Sequence, residues 1–303
     1  MEIREVHPDE NLQEEICLAL GNFDGLHLAH QELIHEVVTM AKKLGTKSSV
    51  LMFKEHTKNI LNHKNQQLLM SRRQKLDCFA SLGIDLVLEI EFSEIQKMQA
   101  EDFFTEFLRQ GLQVKGLVIG YDYRFGYKAK GTSDLLKKMA EDQGVQIKIV
   151  QEILKDGEAI SSTRIRKAIG EGNLDFARKL LGRPFTMEGT VIHGKRLGRE
   201  MGYPTANIEP STHYVIPRFG VYDTQVTVDG KSYRAATSVG TNPTLDEEGL
   251  KIEAHLLDFT GDLYGKKVDL TFLKFLRPEK NFPSIESLFD QIAKDVEMVE
   301  KRK

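Results

Sequence analysis

The apolar patterning of this chain changes style once, at Leu181-Gly182-Arg183-Pro184, and no single layer plan accommodates both sides of that change. Before it, short apolar runs at residues 16–20, 49–53, 86–90, 116–120 and 147–150 alternate with helical spacings. Such alternation predicts a parallel α/β sheet, whose ligands collect at the carboxyl ends of the strands. After it, the helical pattern largely stops, and residues 185–275 carry short alternating segments such as 220–228, followed by the turn Asp229-Gly230. That stretch reads as antiparallel β. A closing helix is predicted near 285–299, where Ile285, Leu288, Phe289, Ile292, Val296 and Val299 keep helical spacing. With 303 residues and 40% hydrophobic content, the chain is long enough for two domains with separate cores, taken as 1–184 and 185–303.

The first α/β crossing holds the densest chemistry. Strand 16–20 runs into Gly21-Asn22-Phe23-Asp24-Gly25-Leu26-His27-Leu28-Ala29-His30, and Leu33, Ile34, Val37, Val38, Ala41 and Leu44 then form one helical stripe. His27 and His30 fall near the first turn, three apart and therefore on one face. Free backbone N–H groups and the positive end of the helix dipole attract anions there, while Gly21 and Gly25 let the backbone turn tightly beside a nucleotide. Two histidines at this spacing on a helix are usually solvated, and an isolated His-x-x-His is weak support for a metal; at this junction the pair is also placed to stabilise charge developing on a phosphate.

Further clusters follow in order. Gly120-Tyr121-Asp122-Tyr123-Arg124-Phe125-Gly126 leaves a strand directly, offering rings for stacking beside Asp122 and Arg124, or simply an aromatic loop packed under the sheet edge. In Ile160-Ser161-Ser162-Thr163-Arg164-Ile165-Arg166, hydroxyls suited to helix capping lie beside two guanidinium forks, a set that also suits a triphosphate. In the second half, Gly189-Thr190-Val191-Ile192-His193-Gly194-Lys195-Arg196 nearly spells a P-loop, but Arg196 replaces the Ser or Thr needed on magnesium and no helix follows. Instead Gly194, Gly198 and Gly202 punctuate a long loop that ends in Pro204-Thr205-Ala206-Asn207. Its glycines permit close approach to phosphates, and the Thr205 hydroxyl and Asn207 carbonyl are hard oxygen ligands suited to Mg2+. On an alternating strand, Glu253 and His255 share a face.

A net charge of −3 argues against bulk nucleic-acid binding and favours a small anionic ligand. Cys17 and Cys78 support neither a disulfide framework nor a Cys-based zinc site. No apolar run approaches a membrane span, and Met1-Glu2-Ile3-Arg4-Glu5 lacks a signal-peptide core, so the expected compartment is the cytoplasm and no membrane partner is expected.

The 21–30 segment resembles the signature of nucleotidyltransferases with a His-x-Gly-His motif, and more narrowly that of bacterial FAD synthetases, with Ala29 where that family usually has glycine. The segments 120–126 and 160–166 resemble further stretches of the same enzymes, whereas Phe53-Lys54-Glu55-His56-Thr57 replaces their Phe-x-Pro-His-Pro and keeps only the histidine. The 194–207 loop, Ser238-Val239-Gly240-Thr241-Asn242-Pro243-Thr244 and Ile252-Glu253-Ala254-His255-Leu256-Leu257-Asp258-Phe259 resemble riboflavin kinases. In order and extent, Gly21 to Phe259, the chain is similar to the bifunctional riboflavin kinase and FAD synthetase family.

The resemblance implies a Rossmann-like nucleotidyltransferase domain followed by a small antiparallel β-barrel with a C-terminal helix. It implies phosphorylation of riboflavin to FMN with Glu253 as base, then adenylyl transfer from ATP to FMN with His27 and His30 stabilising charge as pyrophosphate leaves. For the transferase, Gly21, Asn22, Phe23, Asp24, Gly25, Asp122, Ser162, Thr163, Arg164 and Arg166 would bind ATP. For the kinase, Gly194, Lys195, Gly198, Gly202, Pro204, Thr205 and Asn207 would bind ATP and flavin, Thr205 and Asn207 as Mg2+ ligands. Two alternatives stand beside this reading: only one live activity, or a non-enzymatic flavin sensor. Oligomeric state is left open.

Overall fold

The computed structural model describes residues 1–54, 66–194, 203–241 and 249–301. Its backbone forms two compact units, Met1–Gln66 with Arg72–Ser161, and Gln67–Ser71 with Ser162–Lys303.

The first unit is built on a parallel sheet of β1 (Glu2–Glu5), β2 (Ile16–Leu20), β3 (Lys47–Phe53), β4 (Leu86–Ile90), β5 (Val114–Gly120) and β6 (Gln146–Val150), in the order β1-β4-β3-β2-β5-β6. β2 and β4 are buried along their whole length, as near-continuous apolar runs must be when a sheet is covered on both faces. β1 has no such run; Glu2-Ile3-Arg4-Glu5 is mostly exposed, a charged edge strand that apolar patterning does not reveal. Helix α1 (Leu28–Leu44) connects β2 to β3, buries Leu33, Ile34, Val37 and Ala41, and stops at Gly45 in the left-handed region. Helices α2 (Arg72–Ser81), α3 (Phe103–Gly111) and α4 (Ser133–Asp142) complete the layers. The α3 segment is a π-helix, whose wider turn seats Phe103, Phe104, Phe107 and Leu108 together in the core.

The strand order fixes where a ligand can sit. From β2 the chain proceeds to β3 and β4 on one side, then crosses to β5 and β6 on the other, with Leu20 opposite Ile119. In open α/β sheets the binding crevice lies outside the carboxyl ends of such a strand pair. The segments leaving β2 and β5 are the His27/His30 loop and the 121–126 loop.

The second unit begins with α5 (Ser162–Gly170) and α6 (Leu174–Leu181). Then β7 (Phe185–Ile192), β8 (Ala206–Pro210), β9 (Gly220–Val228), β10 (Lys231–Thr241), β11 (Leu250–Leu256) and β12 (Lys267–Pro278) close an antiparallel barrel in the order β7-β8-β11-β10-β9-β12. Phe185, Met187 and Val191 of β7 and Ile252, Ala254 and Leu256 of β11 point inward, and the residues between them face out. The β9–β10 hairpin turns at Asp229-Gly230 with both φ values positive, the twist that a two-residue hairpin demands. Helix α7 (Ile285–Glu300) starts at the Ser284 capping box. Its buried Asp295 accepts a bidentate Arg277 pair at 2.9 and 2.6 Å, which ties the helix to the end of β12.

Gln67–Ser71 is the part of this unit that pattern reading misses. Leu68 bridges to Tyr214, donating to the His213 carbonyl at 2.8 Å and accepting from the Val215 N–H at 2.9 Å. Five residues stitched by backbone bonds leave no apolar period to detect.

Candidate active sites

At the end of β2 the backbone enters the left-handed region at Phe23 (φ 48°), Gly25 (φ 85°) and Leu26 (φ 37°). Positive φ at a bulky residue costs on the order of 1–3 kcal/mol and persists only where the surroundings enforce it. Here burial enforces it: Phe23 and Leu26 are inaccessible, and the Phe23 ring packs edge-on against Phe79 and His30, each at 5.5 Å. Gly21 serves differently from the sequence expectation of a tight turn, because a Cβ there would lie 3.2 Å from the Phe23 ring. The loop delivers the chain to His27, the N-cap of α1, whose Nδ1 accepts the His30 N–H at 3.4 Å. That bond leaves the proton of a neutral His27 on Nε2.

The two imidazoles stack, with centroids 3.7 Å apart and planes 15° from parallel, so the three-residue spacing does bring them onto one face. His27 and Asp24 are buried, and His30 Nδ1 is enclosed without a hydrogen-bond partner. Burial, reinforced by His27 and Lys75, holds the His30 pKa well below the ordinary histidine range. His30 is therefore a neutral N–H donor rather than a standing cation.

The sign of the resulting pH dependence follows. Below about pH 6.5 the unfolded chain binds a proton at His30 that the folded chain refuses, so stability falls on acidification until the lowered folded pKa is reached. The slope from this one group reaches at most about 1.4 kcal/mol per pH unit. Urea unfolding of the wild type and of His30→Gln between about pH 6.5 and 5 is expected to give a shallower loss for the variant; parallel curves would show that His30 does not resist protonation.

The β5 loop divides its aromatics. Tyr123 and Phe125 stack at 5.9 Å, and Phe125 packs on Phe103 in the core. Tyr121, Asp122 and Arg124 are exposed beyond the strand end, so the core-packing reading of this segment holds for Tyr123 and Phe125 only. Burial pushes the Tyr123 hydroxyl far above its usual range, leaving it neutral. In the second unit, Ser162 and Thr163 open α5, whose Ile165, Ala168 and Ile169 are buried. Arg164 lies over the Phe176 ring at 5.3 Å, and Arg166 donates from Nε to the Gln67 carbonyl at 2.7 Å, so both side chains are held in place.

On the barrel, Asn207 of β8 pairs with Ile192 of β7 and Glu253 of β11, and Glu253 pairs in turn with Ser238 of β10. Directly opposed residues bring their Cβ atoms within about 5.5 Å. Asn207, Glu253 and Ser238 thus form a polar row across the outer face. Glu253 Oε2 accepts from Lys251 at 2.8 Å. Gly194 sits so close to the Asn207 amide that any Cβ at 194 would overlap it. Thr205 is exposed just before β8, and the preceding Pro204 carbonyl accepts from His255 Nδ1 at 2.9 Å.

Sequence reasoning gave His255 only a shared face with Glu253 and gave Tyr203 and Phe289 no part in the site. Tyr203 and Phe289 lie nearly parallel at 6.5 Å, with His255 edge-on to Tyr203 at 5.5 Å. The missed signal was Tyr203 directly preceding Pro204-Thr205-Ala206-Asn207; Phe289 lies distant in sequence and was assigned only to a helical stripe. His56, Lys195, Gly198, Gly202 and residues 242–244 fall outside the described residues. Among the described residues no cluster of three His, Cys, Asp or Glu side chains could hold a metal, and no helix is long and apolar enough to cross a membrane.

Two family models match the chain: FAD synthetase over residues 9–164 and riboflavin kinase over 181–302. It is 37% identical to a bifunctional riboflavin kinase/FMN adenylyltransferase from Listeria monocytogenes, covering 95% of this chain and 94% of that protein. It is 35% identical to the protein of that name from Escherichia coli K12, covering 97% and 95%. Among solved structures it superposes on one described as a macrolide-efflux protein from Streptococcus pneumoniae with a TM-score of 0.91, 31% identity and 100% of both chains covered.

Proposed function

Because the chain belongs to the bifunctional riboflavin kinase/FMN adenylyltransferase family along nearly its whole length, we propose that it makes FAD from riboflavin in two ATP-dependent steps. The observation that carries this reading is a built polar site inside each matched region: the stacked His27/His30 pair at the sheet crevice and the Asn207–Glu253 row on the barrel. We assign adenylyl transfer to residues 1–184 and phosphorylation to 185–303. A single live activity or a non-catalytic flavin sensor has no residue in its favour, since Thr205, Asn207 and Glu253 are all present.

In the kinase step, Glu253 accepts the proton of the terminal ribityl hydroxyl as its oxygen attacks the γ-phosphorus of ATP, giving FMN and ADP. Lys251 occupies one carboxylate oxygen, which leaves the other for that proton. Tyr203, His255 and Phe289 form a ring cluster suited to stacking on the flavin, with His255 on the same strand face as Glu253. We also assign Gly194, Lys195, Gly198, Gly202 and Pro204 to ATP and flavin binding, and the Pro204 carbonyl is held by His255. The close Gly194–Asn207 approach and the hard-oxygen donors Thr205 and Asn207 fit a magnesium ion, which when bound neutralises phosphate charge.

In the transferase step, an FMN phosphate oxygen attacks the α-phosphorus of a second ATP and pyrophosphate departs. His27 and His30 donate N–H groups to the charge that develops. The backbone of Gly21, Asn22, Phe23, Asp24 and Gly25 lines the nucleotide path, with Asp122 across from it at the end of β5. We also assign Ser162, Thr163, Arg164 and Arg166 as phosphate ligands, because hydroxyls and guanidinium forks donate to phosphate oxygens. We place the reaction in the cytoplasm.

Purified protein given riboflavin, ATP and Mg2+ is expected to yield FMN and then FAD on chromatography, and to yield FAD from supplied FMN. Riboflavin recovered unchanged would refute the kinase reading, and supplied FMN recovered unchanged the transferase reading. The Gly194→Ala variant is expected to displace the Asn207 amide and slow phosphorylation about a hundredfold, as a misplacement near 1 Å does. Conversion of supplied FMN by the same variant should stay normal; a normal phosphorylation rate would mean that the close approach at Gly194 has no bearing on catalysis.

A further inference from the structure

Beyond the end of β7, one aromatic contact has no part in the steps above. Ile192 makes the last ladder pair, with Asn207, and His193 then carries the chain to Gly194. His193 is exposed, yet its imidazole lies on the Tyr264 ring with centroids 3.9 Å apart and planes 30° from parallel.

Tyr264 stands on an anchored turn. The Lys266 N–H closes that turn on the Leu263 carbonyl at 3.0 Å, and the Tyr264 N–H bonds Asp262 Oδ1 at 3.0 Å. Two backbone bonds fasten the turn to β7: Gly265 N–H to the Val191 carbonyl at 2.8 Å, and Val191 N–H to the Lys266 carbonyl at 2.9 Å. Leu263 is buried beneath it, and Gly265 takes the left-handed φ of 74° that the turn requires. The tyrosine ring is thus fixed to the same strand whose outgoing residue it covers.

We propose that Tyr264 is a positioning residue for the phosphorylation of riboflavin. By stacking on His193, its ring fixes the chain where it leaves β7 and so holds Gly194 against the Asn207 amide, one residue beyond the stack. The stack substitutes for a ladder bond just where β7 stops pairing. Loss of the ring frees Gly194 to move away, and the Asn207 amide loses the wall that orients it toward the phosphates. This inference rests on the kinase reading above.

The test uses the full-length protein with riboflavin, ATP and Mg2+, and supplied FMN as the control reaction in the same chain. Tyr264→Leu is expected to lower kcat for phosphorylation at least about tenfold with little change in the KM for riboflavin, the signature of disturbed alignment. Tyr264→Phe, which keeps the ring, should restore the rate. His193→Ala should behave like Tyr264→Leu, and His193→Phe like the wild type, so the histidine pair decides the matter if Tyr264→Leu fails to fold. Unchanged kcat in Tyr264→Leu or in His193→Ala would overturn the proposal. So would equal loss of FMN adenylylation, which would report general destabilisation, or a His193→Phe variant as slow as His193→Ala, which would give the imidazole a chemical role. Failure of the wild type to phosphorylate riboflavin would instead remove the kinase reading itself.

Discussion

The double replacement His27→Asn with His30→Ala is expected to abolish FAD formation while riboflavin still becomes FMN, which accumulates. Removing one donor from a charge-stabilising pair typically costs on the order of a hundred- to a thousandfold in rate, and the two rings stack as one unit at 3.7 Å. Asparagine is chosen at 27 because His27 is the N-cap of α1. An alanine there would lose a cap worth about 0.5–2 kcal/mol and confound chemistry with folding, whereas asparagine preserves the cap acceptor. The accumulating FMN is the internal control that the barrel remains active. Normal FAD output from the double variant would remove the histidines from the reaction.

Glu253→Gln is expected to have the opposite phenotype: riboflavin phosphorylation falls roughly a hundred- to ten-thousandfold, and supplied FMN is still adenylylated. Glutamine keeps the size and the cross-strand position opposite Asn207 and Ser238, but it cannot accept the hydroxyl proton. It also breaks the half-exposed Lys251–Glu253 pair. Lys251→Met separates the two effects, because such surface pairs contribute about 0–1 kcal/mol and its loss should barely move the rate. If Glu253→Gln phosphorylates riboflavin normally, the glutamate is only a lysine partner.

What the sequence made legible, and what it did not, divides along physical lines. Buried parallel strands announce themselves as apolar runs, and β2 to β5 stand close to where those runs lie; β6, an edge strand buried only at Val150, shows through Ile147, Ile149 and Val150. The barrel strands show as alternation after Pro184, and the Asp229-Gly230 turn shows as its residues, since few others take positive φ in succession. The three-residue spacing places His27 and His30 on one face, but their stacking also depends on the extended N-cap backbone of His27, which helical periodicity does not describe. By contrast, β1 is an exposed charged edge, Gln67–Ser71 joins the barrel unit through backbone bonds, and the π-helix depends on a local widening that no residue type signals. Strain at Phe23 and Leu26 was hidden for a related reason, because the two neighbouring glycines were the residues expected to carry it. The ring pairs Tyr203–Phe289 and His193–Tyr264 join positions far apart in sequence, and only closure of the barrel and docking of α7 bring them together.

The central claim, two successive transfers from two different phosphorus atoms of ATP, is tested most directly by the fate of a phosphorus label. Wild-type protein is incubated with riboflavin, Mg2+ and ATP labelled at either the γ- or the α-phosphorus, and the flavins are separated by chromatography. Label from the γ-position is expected in both FMN and FAD, because the phosphate added by the kinase is retained in the second product; label from the α-position is expected in FAD alone. Label from the α-position appearing in FMN, or γ-label appearing in neither flavin, would contradict the account.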